Sequence, residues 1–321
     1  MKRYSINKNN TERWKTDVQK SVAFYNDWFL RFAPDTYIQA RQKAIEKVEC
    51  AFQKTDCFNM ISIEILKNAP EIIKILRMAT TPPLARDRLI GLSDVTSNFI
   101  GEMEKGLFPP KMGTHEIDKS LKRIITVINR LVDTDIMPWI KDKTSPNEMD
   151  TVLAKHVIAD RVCGSLSDPI IRNEQERRQI RCIKDYLNNK GYRFIESKYI
   201  ADFRAMETGT YSIHLNVPAI RRDRKGVNMP IDVVIKRQSS SIEELPVLVE
   251  CKSAGDFTNT NKRRKEEATK IEQLKLKYGE NVEFILFLCG YFDSSYLGYE
   301  AAEGIDWIWE HRIDDFAKAR I

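Results

Sequence analysis

The sequence predicts an α/β (α+β) protein: a helical N-terminal region followed by a core in which a mixed β-sheet is flanked by helices. Three observations lead there. Apolar residues recur at helical spacing through most of the first half. The texture changes from about residue 165, and short runs rich in Val, Ile, Tyr and Phe follow the helix found there. Those runs are interrupted by a further helical pattern, so helices and strands alternate as in a layered core.

Taken in order, TERWKTDVQKSVAFYNDWFLRF reads as a helix with Val18, Val22, Tyr25 and Phe29 in phase. Pro34 is expected to break it, and a second helix restarts at Asp35 or Thr36 and continues to about residue 55. Residues 62–78 give two short helical pieces around Pro70, and 114–140 give a helix whose stripe is Leu121, Ile124, Ile125, Ile128 and Leu131. The polar stretch DKTSPNEMD at 142–150 reads as a linker. It divides a helical N-terminal region, 1–150, from a second domain, 151–321.

The second half opens on one helix over SDPIIRNEQERRQIRCIKDYLNNKGY, closed by Gly191. Strand-like runs follow: YRFIES, YSIHLNV, Ile231–Ile235 and Leu245–Cys251. A helix with Ala268, Ile271, Leu274 and Tyr278 inward ends at Gly279, and the strand VEFILFLCGY comes next. The tail, EGIDWIWEHRIDDFAKAR, reads as helical.

Composition narrows the class. A net charge of +6 permits a polyanionic partner without requiring one, and the charge is not polarised between the halves. The opening MKRYSINKNN has no apolar core, and FILFLCGYF is too short to span a bilayer, so a cytoplasmic protein with no membrane partner is expected. Six scattered cysteines without a CxxC pair read as reduced thiols. Four histidines without ligand spacing argue against structural zinc.

The chemistry concentrates at 229–254, MPIDVVIKRQSSSIEELPVLVECKSA. Side chains alternate along a strand, so Glu250 and Lys252 share one face while Val249 and Cys251 share the other. If the two runs pair, Asp232 approaches the charged face. Two carboxylates and an ammonium at the edge of an apolar sheet can seat a divalent metal for phosphoryl transfer. Glu176 lies four residues before Ile180 and seven before Ile183, on the apolar face of its helix. A metal-binding role there competes with that of an ordinary first-turn glutamate.

Pro230, Asp232, Glu250 and Lys252 resemble the PD-(D/E)xK nuclease motif, with Ile231 as an extra residue between the first two. The stretches RMATTPPLARDRLIGL, IIRNEQERRQIRCIKDYLNNKGY and CGYFDSSYLGYEAAEGIDWIWEHRIDDF look like the XamI-type family of type II restriction endonucleases. The likeness runs from about residue 25 to 316.

This resemblance implies a PD-(D/E)xK restriction-endonuclease-like core. It also implies Mg²⁺-dependent, sequence-specific cleavage of double-stranded DNA leaving 5′-phosphate ends, in a bacterial restriction-modification system. Asp232 and Glu250 would hold Mg²⁺ with help from the Cys251 backbone carbonyl, Lys252 would orient water or stabilise charge, and Glu176 would serve a second metal. A palindromic target implies a homodimer, and the family's namesake reads GTCGAC. A cognate DNA methyltransferase would be a genetic rather than a physical partner.

Basic and amide residues supply candidate DNA contacts: Arg86, Arg88, Arg237, Gln238, Asn259, Lys262, Arg263 and Arg264. For Arg86 and Arg88 the competing reading is a surface loop pairing with Asp87. Two alternatives stay open: a structure-selective repair or recombination nuclease of the same fold, and a non-enzymatic DNA-binding protein in which Asp232, Glu250 and Lys252 form a structural ion network.

Overall fold

The computed structural model describes the backbone of residues 5–241, 243–258 and 260–321, and the side chains of all of these except residues 165 and 260–263. In chain order the helices begin with α1 (Thr11–Thr55), α2 (Ile63–Asn68), α3 (Ile73–Met78), α4 (Arg86–Ser93) and α5 (Ser97–Met103). Then come α6 (Thr114–Leu131), α7 (Pro138–Asp142) and α8 (Glu148–Asn189). Strands β1 (Arg193–Phe194), β2 (Thr210–Ile220), β3 (Gly226–Lys236) and β4 (Val247–Ala254) follow. Last are α9 (Thr260–Tyr278), β5 (Phe284–Gly290), α10 (Ser294–Ala302), β6 (Asp306–Trp309) and a 3₁₀ segment, Glu310–Ala319.

The chain forms two compact units, one of residues 33–171 and one joining 1–32 to 172–321. The first is helical. Leu66, Ile73, Leu76, Phe99, Leu121, Ile124 and Ile158 fill its core. Ser62 and Thr96 cap α2 and α5, accepting from Ile65 N–H at 3.2 Å and Phe99 N–H at 3.1 Å.

In the second unit the described residues form one six-stranded sheet in the order β1-β2-β3-β4-β5-β6. The β2–β3 and β3–β4 pairs are antiparallel; the β1–β2, β4–β5 and β5–β6 pairs are parallel. This is the mixed sheet the sequence predicts. On one face, Val233, Ile235, Val249, Cys251 and Phe287 pack against Ile183 and Leu187 of α8. On the other, Val234, Leu248, Leu286 and Trp307 pack against Ile271 and Leu274 of α9. Burying Ile183 and Leu187 completely contributes about 1.5–3 kcal/mol each.

Three expectations change. Helix α1 runs through Pro34 without a break. The proline costs the Leu30 carbonyl its helical donor, and Leu30 is exposed, where solvent can replace that bond. The tail is not wholly helical, because Asp306–Trp309 pairs in parallel with Ile285–Leu288 as β6. Its tryptophans bury fully there, and the aromatic and branched run DWIW suits a pleated surface better than a helix.

The division at 150/151 also gives way. Helix α8 starts at Glu148, inside the expected linker, and its residues to Ile171 belong to the helical unit. Residues 1–32 belong with the sheet. The Asp306 carboxylate accepts from the backbone N–H groups of Ile6, Asn7 and Lys8 at 2.7, 2.8 and 3.0 Å. Trp14 packs edge-on to Trp307, and Ser21 accepts from Gly290 N–H at 2.8 Å.

Candidate active site

Strands β3 and β4 pair only from Val233↔Val249 to Ile235↔Val247. Beyond that point β3 continues against β2, and β4 continues against β5 to Ala254↔Gly290. The two strands therefore part, and Asp232 and Glu250 stand at the mouth of the notch. Where a ladder bond would lie, the Cys251 N–H donates to Asp232 Oδ2 at 2.7 Å. That bond fixes the carboxylate and satisfies an amide the parting strands would otherwise strand.

The neighbouring ribbon turns over at the same level. His214 has φ of +51°, in the left-handed region that a non-glycine residue seldom enters. On its two sides the odd-numbered residues of β2 change layers: Tyr211 and Ile213 pack on the α8 side, Leu215 and Val217 on the α9 side. The ladder register places His214 opposite Asp232, between Ile213↔Val233 and Leu215↔Ile231.

From α8, Glu176 reaches the same place. One ligand atom each of Glu176, His214 and Asp232 lie within 4.8 Å of one another, close enough for a shared metal ion. The imidazole Nε2 is 3.9 Å from Glu176 Oε1. Sequence reading found Glu176 and Asp232 but not His214, whose place depends on strand pairing and a backbone kink that no local pattern announces.

Glu250 is only 4% exposed. Its Oε1 accepts from Lys252 Nζ at 3.0 Å and from Lys270 of α9. Its Oε2 is buried and meets no donor among the described residues. A buried carboxylate oxygen without a partner is costly and suits a cation ligand. Three carboxylates converging on one notch are the hard oxygen donors that Mg²⁺ prefers.

Burial, then the Glu250 charge, push Asp232 up to about 6; the Cys251 amide and Lys252 pull the other way. For Lys252, burial favours the neutral amine, but Glu250 and Glu267 outweigh it and hold the ammonium above its ordinary range. The Cys251 thiol lies on the opposite face, among Ile183 and Phe287, where burial pushes it far up. Only the Cys251 backbone is on the notch side.

Helix α8 is held in register over the notch. Gln179, almost fully buried, donates to the carbonyls of Phe287 at 3.0 Å and Lys252 at 3.3 Å. Arg178 makes a two-pronged pair with Glu310 at 2.9 and 3.0 Å and lies 4.4 Å over the Trp28 ring. These anchors sit within three residues of Glu176 and were not evident in the sequence.

Behind Lys252, Glu267 of α9 is completely buried, 3.9 Å from the ammonium. The Tyr296 hydroxyl donates to Glu267 Oε2 at 2.7 Å. Glu300 of α10 is also buried, and neither of its oxygens meets a donor among the described residues. Burial, then the Glu267 charge, push Glu300 up to about 8; Tyr296 opposes this and Glu303 adds to it.

A stability prediction follows. Between its ordinary 4.5 and about 8, Glu300 keeps in the folded state a proton that the unfolded chain has released. Folding stability therefore falls as pH rises through that window, with the whole loss present above it. Metal-free protein is expected to melt at lower temperature at about pH 8.5 than at about pH 6. Glu300→Gln should flatten that fall, as differential scanning at the two pH values will show.

The expected DNA-contact residues fare unequally. Arg86 and Arg88 are exposed at the start of α4, with Arg86 donating weakly to the Ser97 carbonyl at 3.3 Å. Arg264 lies 3.8 Å over the Tyr299 ring, beside Phe257 and Lys265. Asn259, and the side chains of Lys262 and Arg263, fall outside the described residues.

Arg237 is a correction: it is 2% exposed, donates to the Ala319 carbonyl at 2.7 Å and pairs with Glu283 and Glu244. A guanidinium so enclosed is structural and cannot reach DNA. Gln238 donates to the Lys190 carbonyl at 2.9 Å, six residues and about 20 Å of extended strand from Asp232. A cavity of about 940 Å³ beside Lys275, Asn281 and Asp306 contains none of the notch residues.

A mixed sheet whose antiparallel pair opens onto Asp232, Glu250 and Lys252, with a helix carboxylate above, defines a nuclease of the PD-(D/E)xK class. The comparisons carry this further. A family described as XamI restriction endonuclease matches residues 56–309, and the chain belongs to it. It is 48% identical to the type II restriction enzyme SalI of Streptomyces albus G over 314 residues, 98% of this chain and 99% of the relative. Against the type II restriction enzyme XamI of Xanthomonas campestris pv. amaranthicola it is 26% identical over 198 residues, 60% of this chain and 62% of the relative. No solved structure matches.

Proposed function

We propose that the chain is a type II restriction endonuclease that hydrolyses both strands of DNA at a specific palindrome, in a Mg²⁺-dependent reaction leaving 3′-hydroxyl and 5′-phosphate ends. The observation that carries this reading is the notch itself, where Asp232 and Glu176 converge beside Glu250 and Lys252 in a chain of this family. Bound Mg²⁺ would lower the pKa of a coordinated water and neutralise charge on the phosphate. Asp232 and Glu250 would hold it, the Cys251 carbonyl would help, and Glu176 would complete the set directly or through water.

His214 is added to these roles. Mg²⁺ favours oxygen over nitrogen, so the imidazole is better used on a bound water or a phosphate oxygen than as a ligand. Lys252 acts as a cation. Its neighbours keep the ammonium protonated, so it donates to the attacking water or to the developing charge on phosphorus and takes no proton. Water oxygen bonds to phosphorus and releases a proton to solvent, the bond to the 3′ oxygen breaks, and that oxygen takes a proton from solvent, so that water is added across the P–O bond.

The helical unit, residues 33–171, is assigned DNA recognition and dimerisation, with Arg86 and Arg88 presented from α4. Arg264, Lys262, Arg263 and Asn259 would track phosphates beside the notch. A palindromic target calls for a homodimer with two active sites about a two-fold axis. A methyltransferase protecting the same sequence is expected beside it in a bacterial cytoplasm. No helix among the described residues is long and apolar enough to cross a membrane.

The test is digestion of a fully sequenced, unmethylated phage DNA with Mg²⁺ by wild type and Lys252→Ala. Wild type should give discrete fragments, and mapping their ends gives the target, with GTCGAC the first to compare. The variant should cut at least about 10²-fold more slowly while folding and binding DNA normally. A smear in place of fragments would favour a structure-selective nuclease. Absence of cutting by wild-type protein that still binds DNA would sink the enzymatic reading.

A further inference from the structure

Helix α9 presents two charged side chains to the notch, one turn apart: Glu267 and Lys270. Lys270 pairs with Glu250 Oε1, the same oxygen that accepts from Lys252. Glu250 is thus shared between two ammonium groups and, in the proposed reaction, also with the metal. Coulomb attraction to Glu250 alone is a poor way to aim Lys252, because a divalent cation on that carboxylate would repel the ammonium. The second carboxylate near Lys252 is Glu267, fully buried and 3.9 Å from Nζ.

Glu267 has its own support. Tyr296 spends its one hydroxyl hydrogen on Glu267 Oε2. Glu300 of α10 is buried close behind Glu267, near enough for the Glu267 charge to raise its carboxyl, and neither of its oxygens meets a donor among the described residues.

We infer that Glu267 is a positioning residue for the reaction, holding the Lys252 ammonium in place independently of the metal-bound Glu250, with the Tyr296 hydroxyl fixing Glu267 from behind. The inference rests on the nuclease reading and adds to it a second layer on α9 and α10 that the four-residue motif does not contain. Lys252 and Glu250 lie on β4, whereas Glu267 and Tyr296 lie on α9 and α10, which follow it in the chain.

Single-turnover cleavage by full-length wild type, Glu267→Gln, Glu267→Asp and Glu300→Gln tests it. DNA affinity in Ca²⁺ and the Ca²⁺-induced rise in melting temperature are measured alongside. Glu267→Gln should slow cleavage about 10²-fold, the scale of a catalytic group left misplaced by about 1 Å. Its DNA affinity and Ca²⁺ response should remain those of wild type, and excess Mg²⁺ should not restore the rate. Glu300→Gln should cut within about threefold of wild type, since Glu300 makes no hydrogen bond to Lys252 or Glu267 among the described residues.

Wild-type cleavage by Glu267→Gln overturns the inference, as does an equal loss in Glu267→Gln and Glu300→Gln, which marks simple packing. If Glu267→Gln does not fold, Glu267→Asp decides. It keeps the charge but withdraws it by one methylene, so slowed cleavage with an intact Ca²⁺ response supports the inference and an unchanged rate removes it. These outcomes are separate from the nuclease reading, which fails only if the wild type itself does not cut.

Discussion

Asp232→Ala should abolish both discrete DNA fragments and the stabilisation that divalent metal gives the fold. Wild-type protein in Mg²⁺ or Ca²⁺ at about 100 times the dissociation constant gains about 2.7 kcal/mol by mass action. For a unit of this size that raises the melting temperature by roughly 5–10 °C. Asp232 sits where β3 and β4 part, within reach of Glu176 and His214, and no other side chain can replace it from β3 because its neighbours Ile231 and Val233 are buried in the two core layers.

Removing this carboxylate takes away a metal ligand and the acceptor for the Cys251 amide. The cleavage rate should fall by at least about 10³-fold, corresponding to about 4 kcal/mol of transition-state stabilisation. The fold should tolerate the change, because Asp232 ionises at a cost in this buried notch and the alanine removes that cost. Thermal scans with and without Ca²⁺, together with the digestion, check both halves. A variant that still gains stability from Ca²⁺ would place the metal elsewhere.

Arg237→Ala should damage the fold rather than the interaction with DNA. Its guanidinium is enclosed, bonded to the Ala319 carbonyl and paired with Glu283 and Glu244. Truncation removes the donor to the Ala319 carbonyl and takes the guanidinium away from Glu283 and Glu244. Breaking a buried pair from one side costs about 3–5 kcal/mol, and partial exposure of Glu283 puts this case near 3. The melting temperature should drop by roughly 10 °C. At a temperature where the variant is folded, the salt dependence of DNA binding should match wild type, since no phosphate contact is lost. A stable variant with a reduced salt slope would instead restore Arg237 to the DNA interface.

The legible parts of this protein are those set by local periodicity. Strands β3, β4 and β5 and the shared face of Glu250 and Lys252 follow from a period of two. The closures at Gly191 and Gly279 follow from their positive φ, +82° and +77°.

What escaped depends on distant pairing. His214 matters because β2 lies against β3 and kinks there. The first 32 residues join the sheet through Asp306, nearly 300 positions away. Arg237 reads as a loop cation until the C-terminal segment closes over it.

Glu267 was within reach. It precedes Ile271 by four and Leu274 by seven, the same spacing that puts Glu176 on its apolar face, whereas the sequence reading places Ala268 on that stripe. The fold gives the deeper position to the glutamate. A buried acid on an apolar stripe is the better sign of chemistry.

The clasp of Ile6, Asn7 and Lys8 on Asp306 orders the life of the chain in time. The helical unit is continuous, residues 33–171, and has all its residues once the ribosome has passed that stretch. The sheet unit joins residues 6–8 to Asp306, so it closes only after β6 has emerged. Domains fold as units while the chain emerges, and contacts of long sequence separation form late. A chain that stops short of β6 and Glu310 therefore lacks the sheet edge and the Arg178–Glu310 brace, the support that holds α8 over the notch in the folded unit.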